Sequence, residues 1–373
     1  MAATIFRPAY CTRENVMREI DVKVAQYNSA LIDRKIVAVS EDIEGNLARK
    51  FYVENTTRYF DWPNFQYSYP WSLWLDQYEL AASPTLVVSG TFLTSPVVIP
   101  STDYLLWPYS GPPFTRLDLR RDKNSVFGNN TTPQEDIAIT GPFGYWTKTM
   151  AAGALTSSMA SGDVVAQVSI GSGGDMGAGV GDTLIIDSES MIIQDATWST
   201  PGITYSGGLT SSPPSAADNS LTGLAGGTLN SGETIMVDSE IMLVYAVNGT
   251  TAIVKRAFDG TVLATHSGNS VSVKRTLNVL RGQLGTTAAS HSNSAPLSVA
   301  LVPNLIRELA TAEAATQLIQ GMAGYSAAEV PTWYGITGRN QGQQKEMEAG
   351  LGLPGLRDRV QRRYGRQVRT RVV

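Results

Sequence analysis

Two pairs of duplicated segments constrain this chain more than any other feature of its sequence. Gly181-Asp-Thr-Leu-Ile-Ile-Asp-Ser-Glu-Ser-Met-Ile-Ile193 is matched by Gly232-Glu-Thr-Ile-Met-Val-Asp-Ser-Glu-Ile-Met-Leu-Val244. Arg256-Ala-Phe-Asp-Gly-Thr-Val-Leu-Ala-Thr-His266 and Arg281-Gly-Gln-Leu-Gly-Thr-Thr-Ala-Ala-Ser-His291 share Arg, Gly, Thr, Ala and His at identical offsets, 25 residues apart. A duplicated segment implies one supersecondary unit used twice. Both Asp-Ser-Glu halves precede both Arg-to-His halves, so the simplest pairing is nested. Residues 232–273 form one complete β unit, which interrupts a sibling with halves at about 163–197 and 274–300. The Ser/Pro/Gly-rich stretch at about 198–230 then reads as an exposed linker or long loop.

The flanks read differently. Thr12 is a candidate N-cap for a helix carrying Val16, Ile20 and Val24, and Ile32, Ile36, Val39, Ile43 and Leu47 stack on one face of a second helix. From Phe51 the pattern turns to short β-prone runs, and residues 51–78 hold eleven aromatics in 28 positions. These read as core or subunit-interface residues, with Tyr59, Trp62, Trp71 and Trp74 the candidate intersubunit contacts. A composition change near Met150 marks a boundary. After Pro303, the series Leu305, Leu309, Ala312, Thr316 and Ile319 predicts a third helix, with Gly321 able to stop it. GITGRNQGQQKEMEAGLGLPG reads as an extended linker, and Leu353, Leu356, Val360 and Tyr364 as the apolar stripe of a short terminal helix.

Charge is unevenly spread. Residues 357–373 carry seven arginines against Asp358 alone, which leaves the rest of the chain with 22 basic against 32 acidic residues, net −10. Such a tail seeks either an acidic protein surface or nucleic acid. The apolar stripe favours protein docking, since a pure phosphate binder has no need of one.

Catalytic chemistry finds little support. One cysteine, Cys11, excludes an intrachain disulfide and lacks a recognisable histidine partner, and two histidines leave no zinc-binding spacing. GSGGDMGAGVGD lacks both the GxGxxG spacing and the Lys-Ser/Thr of a P-loop. His266 and His291 fall at the same place in a repeat, as do the pairs Asp187/Glu189 and Asp238/Glu240. Repeated position points to a repeated structural job, and catalysis would need one site only. The expectation is therefore no enzyme, no catalytic residue, no cofactor and no metal. No run reaches the 18 apolar residues of a membrane span and the N-terminus lacks a signal region, which reads as a protein made and used in cytoplasm without a membrane partner.

The outer segments DRKIVAVSEDIEGNLARKFYVENTTRYFDWP, TDYLLWPYSGPPFTRLDL, IAITGPFGYW, VPNLIRELATAEAATQLI and LPGLRDRVQRRYGR together resemble the head-tail connector (adaptor) family of long-tailed bacteriophages. They cover roughly residues 12–149 and 301–366. The duplicated modules look like small β modules of phage neck and tail proteins. The resemblance implies an α+β fold: a discontinuous helical/β connector domain (1–150 plus 297–373) with two nested small β domains inserted, an outer one (151–200 plus 274–296) and a linker with an inner one (201–273). It implies a virion structural protein of the phage neck, assembled in the host cytoplasm. Its partners would be copies of itself in a ring, most often twelvefold, the portal protein, a stopper or tail-terminator neck protein, and genomic DNA passing non-specifically through the channel. Leu353, Leu356, Arg357, Arg359, Val360, Arg362, Arg363, Tyr364 and Arg366 are the candidate portal-docking residues. A tail-tip or baseplate receptor-binding protein is the competing reading, which predicts trimeric or sixfold assembly. A cell-wall hydrolase is a third, for which no carboxylate or metal site can be constructed.

Overall fold

The two Asp-Ser-Glu segments fold as hairpins, and the two Arg-to-His segments close over them as turns and loops. The computed structural model describes residues 5–20, 28–63, 69–130, 132–170, 178–268, 270–327 and 353–366. Helices α1 (Arg13–Ile20) and α2 (Ser29–Leu47) open it. Seven strands follow: β1 (Glu54–Phe60), β2 (Ser72–Trp74), β3 (Leu86–Ser89), β4 (Val97–Val98), β5 (Tyr104–Trp107), β6 (Arg116–Leu119) and β7 (Ile137–Phe143). The repeat region contributes β8 (Thr149–Ala154), β9 (Val165–Gln167), β10 (Thr183–Ile186), β11 (Glu189–Ser199), β12 (Ser220–Leu221), β13 (Thr234–Val237), β14 (Glu240–Asn248), β15 (Thr251–Lys255), β16 (Ser272–Gln283) and β17 (Pro296–Ala300). Helices α3 (Asn304–Ala327) and α4 (Leu353–Tyr364) close it.

The expected α+β architecture, a helical/β connector domain with two nested inserted domains, is overturned. The chain is mostly β, with three sheets and only four short helices among the described residues. One sheet of ten strands runs through both repeat units in the order β12-β15-β14-β13-β16-β11-β10-β17-β8, with β9 also on β16. The reason lies in β16. Its later residues pair with β11 (Leu277 with Ala196, Val279 with Ile193), while Val273 and Ser272 pair with Ile235 and Met236 of β13. A small repeat unit has open strand edges, and one long strand shared between two units satisfies both.

The supposed linker also belongs to the fold. Ile203, Tyr205, Leu209, Leu221 and Leu229 are buried in a core with Ile235, Val237, Met242 and Val244. Leu221 pairs with Ala252 as Ala166 pairs with Leu277, so β12 is the second copy of β9. His266 N–H donates to Leu209 O and His291 N–H to Met159 O. The duplication therefore begins near residue 155 in one copy and near 205 in the other.

The helices form a separate layer. Asn28 caps α2 by accepting from Ala30 N–H at 2.9 Å, and Thr12 caps α1 through its hydroxyl to Asn15 N–H at 3.1 Å. Ile32, Ile36, Val39, Ile43 and Leu47 face inward as their spacing predicts, against Ile306, Leu309, Ala310, Ala314 and Leu318 of α3. α3 runs past Gly321 to Ala327. Val24 and the GITGRNQ segment lie outside the described residues.

The aromatic-rich stretch builds the core between the four-stranded sheet β1-β7-β3-β4 and the three-stranded sheet β2-β6-β5. Hydrogen bonds tie these parts together. Asn55 N–H donates to Leu284 O at 2.9 Å, joining β1 to the turn after β16. Arg13 bonds both Asp33 of α2 and Asp195 of β11.

Candidate functional site

The densest ionisable chemistry lies at the turns of the two duplicated hairpins. Asp187-Ser188 and Asp238-Ser239 are two-residue loops closing the pairs Ile186–Glu189 and Val237–Glu240. Both aspartates take left-handed backbone, φ 53° and 52°, which Asp tolerates better than most residues. Each turn delivers a glutamate directly after it, pointing inward.

Glu240 accepts two bonds from Arg256, Nε to Oε1 and Nη2 to Oε2, both 2.7 Å. It also accepts the backbone N–H groups of Ala257 at 2.9 Å and Ala264 at 3.0 Å. His266 lies between the two acids, with Nε2 at 2.9 Å from Glu240 and Nδ1 at 2.7 Å from Asp238. Arg256 donates further to Asp218 O and Ala264 O.

The sibling repeats this atom for atom. Glu189 takes Nε and Nη2 of Arg281 at 2.7 Å and the N–H groups of Gly282 and Ala289 at 2.9 Å. His291 stands 2.9 Å from Glu189 and 2.8 Å from Asp187, and Arg281 donates to Asp163 O and Ala289 O. Thus Arg256 and His266 return to the inner Asp-x-Glu, and Arg281 and His291 to the outer one, as the order along the chain requires.

These clusters are clamps that cross-link each repeat. Glu240 and Glu189 are 0% and 1% exposed, and burial alone would push their carboxyls up. The guanidinium bonds, backbone donors and imidazole outweigh it and hold both at about 2. A carboxyl depressed in the fold stabilises above its unfolded value of roughly 4.3 and loses that contribution as pH falls through its folded value. Stability is therefore expected to fall between about pH 5 and 2, by on the order of 3 kcal/mol per clamp. Urea midpoints measured across that range check this; a double E189Q/E240Q variant with an equally steep profile would disprove the assignment to these groups.

A second duplicated carboxylate sits behind each clamp. Glu233 accepts from Asn230 N–H and from Arg275, and Asp182 from Gly179 N–H and Arg307. Sequence reasoning missed these, and missed Asp163 and Asp218. Their copies differ in type (Asp against Glu) or lie in the divergent stretch taken for a linker.

The arrangement leaves little for catalysis. Each glutamate's oxygens are occupied by fixed donors, and each histidine has a carboxylate on both nitrogens. Cys11 is fully buried, its thiol pushed up to about 12 by burial, so it is no thiolate nucleophile near neutrality. Among the described residues no group of three or more His, Cys, Asp or Glu could hold a metal ion, and no helix is long and apolar enough to cross a membrane.

The C-terminal candidates divide sharply. Leu353, Leu356, Val360 and Tyr364 are buried in the chain's own helical core, Tyr364 edge-on to Phe51 with ring centroids 5.6 Å apart. The apolar stripe is thus taken, which corrects the argument that it serves a partner. Arg366 is half-buried and donates to Tyr78 O, and Arg357 binds Glu313 at 2.7 Å. Arg359, Arg362 and Arg363 stand exposed. Comparison of the chain with protein-family models, curated proteins and solved structures found no match.

Of the aromatic candidates, Trp62 is buried against Phe127, with centroids 4.8 Å apart. Trp71 and Trp74 are half-buried, Trp74 sharing the guanidinium of Arg116 with Trp107. Tyr59 alone is well exposed. The structure adds surface residues that the aromatic count overlooked: Leu86, Phe92, Val97 and Val98 stand exposed along β3, its connection to β4, and β4.

Proposed function

We propose that this chain is a non-enzymatic virion structural protein, a head-tail connector subunit that assembles with copies of itself into a ring. The ring would join the portal to the tail or the next neck protein and pass DNA through its channel. The resemblance enters here as function only, because the helical layout it implied is not that of this chain.

The observation that carries the reading is where the chemistry sits. The buried ionisable groups of the repeats are consumed in internal clamps, while large apolar side chains lie outward at a sheet edge. Val98 is 56% and Phe92 66% exposed, and β4 is the edge strand of its sheet. An exposed apolar edge beside polar surface suits contact with another protein, and a cyclic ring needs two different complementary faces on every subunit.

Negative-stain microscopy of the purified chain, alone and mixed with portal protein, tests this. Rings with an open axial channel are the expected result. Isolated trimers would overturn the reading in favour of a tail-tip or baseplate component, and zones of cell-wall lysis in favour of a hydrolase.

A further inference from the structure

The surface of α4 that faces away from the core carries arginines of which its own fold makes only slight use: one exposed ion pair, Arg362 with Asp358, and one cation–π contact, Arg363 with Tyr364 at 5.5 Å. At 100° per residue, Arg359, Arg362 and Arg363 fall within one arc of the helix, related by steps of three and four. All three are exposed. Arg362 pairs with Asp358 one turn away, its side chain still 78% exposed, and Arg359 and Arg363 make no ion pair among the described residues. Like charges at these spacings repel each other, and within the helix only the Asp358 pair of Arg362 and the Tyr364 ring under Arg363 offset that repulsion. The sequence continues the same sign with Arg366, Arg369 and Arg371.

Protein docking was the better reading of this segment only while Leu353, Leu356, Val360 and Tyr364 were free to serve it. They are core. What α4 offers a partner is a row of guanidinium groups with no apolar centre, whereas protein interfaces are built around a buried apolar core and are depleted in charge there. Guanidinium forks match phosphate oxygens in geometry and charge, and repeated phosphates are what a row of them can engage at once. The body of the chain, net −10 outside residues 357–373, would repel a polyanion elsewhere and so restrict its contact to this face.

We propose that Arg359, Arg362 and Arg363 form a binding face for the phosphate backbone of duplex DNA, without base specificity. This rests on the connector reading only for the source of the DNA, and it names one face of the subunit that DNA would touch.

The test is fluorescence anisotropy of the full-length chain with a labelled duplex of about 30 base pairs, titrated with salt. Log affinity should fall linearly with log salt, with a slope near −0.9 per phosphate engaged. The triple variant R359Q/R362Q/R363Q should bind at least about tenfold more weakly at the same salt, with a slope shallower by roughly two to three. Its thermal midpoint should stay close to the parent's, since the contacts it removes are one exposed ion pair and one surface cation–π contact. No binding at about 50 mM salt would overturn the proposal and leave the face to an acidic protein surface. Unchanged affinity and slope in the triple variant would overturn it equally, moving any DNA contact elsewhere on the chain. The ring test is independent: DNA binding by a chain that forms no rings sinks the connector reading alone, and rings that ignore DNA sink this one alone.

Discussion

Replacing Glu240 by alanine is expected to destabilise the fold by roughly 3–5 kcal/mol, the cost of breaking a buried ion pair by removing one partner. Arg256 and His266 are 6% and 2% exposed, so neither can turn to water when the carboxylate goes. The loss is larger than one salt bridge, because Glu240 also accepts the N–H groups of Ala257 and Ala264. Those donors hold the segment between β15 and His266 against the hairpin turn, and orphaned buried donors carry their own penalty. Glu189→Ala should cost a similar amount, since Arg281, His291, Gly282 and Ala289 make the same set of bonds there. Urea denaturation followed by far-ultraviolet circular dichroism measures both. A loss below about 1 kcal/mol in either variant would mean that the clamp is ornamental, within the range of an exposed pair.

These clamps mark how far the sequence can be read. The pairing of Asp-x-Glu with Arg-to-His was legible because function-like residues recurred at fixed offsets, and position within a repeat already argued for a structural role. The bond from His266 to both Asp238 and Glu240 was only half legible: period two puts the acids on one face, but the partner came from the connection between β15 and β16, 26 residues beyond Glu240. The continuous sheet was not legible at all. Nothing in Ser272 and Val273 distinguishes a strand that serves one unit from one that serves two, because pairing uses backbone groups that every residue carries. The stretch 198–230 misled through composition. Its glycines, serines and prolines are those of a linker, yet Ile203, Tyr205, Leu209 and Leu221 occur often enough to fill a core. In the helical layer the five-residue stripe of α2 was read correctly, since a 19-residue helix gives periodicity room to declare itself.

The stripe of α4 was seen as well and given the wrong partner, and this leads to the second large effect. A chain ending before Leu353 is expected to lose its helical layer. Burying Leu353, Leu356, Val360 and Tyr364 is worth about 1.5–3 kcal/mol per side chain, which together approaches the whole stability of a typical domain. The helix end is tied down by more than contact. Arg49 Nη1 donates to Tyr364 O at 2.8 Å, and Arg366 N–H donates to Leu47 O at 3.2 Å, at the C-terminus of α2. Truncation would therefore expose the inward faces of α2 and α3 and leave Phe51 and Tyr145 without the ring they meet edge-on. The truncated chain should bind a hydrophobic dye, be cut by protease within α2 or α3, and melt well below the full-length chain, while the clamped ten-stranded sheet keeps its β signal. Tyr364→Ala, which leaves every arginine in place, should reproduce part of the effect at about 3–5 kcal/mol. If the truncated chain instead keeps the full-length melting curve and resists protease, α4 is a detachable arm after all, and its apolar stripe is free for a partner.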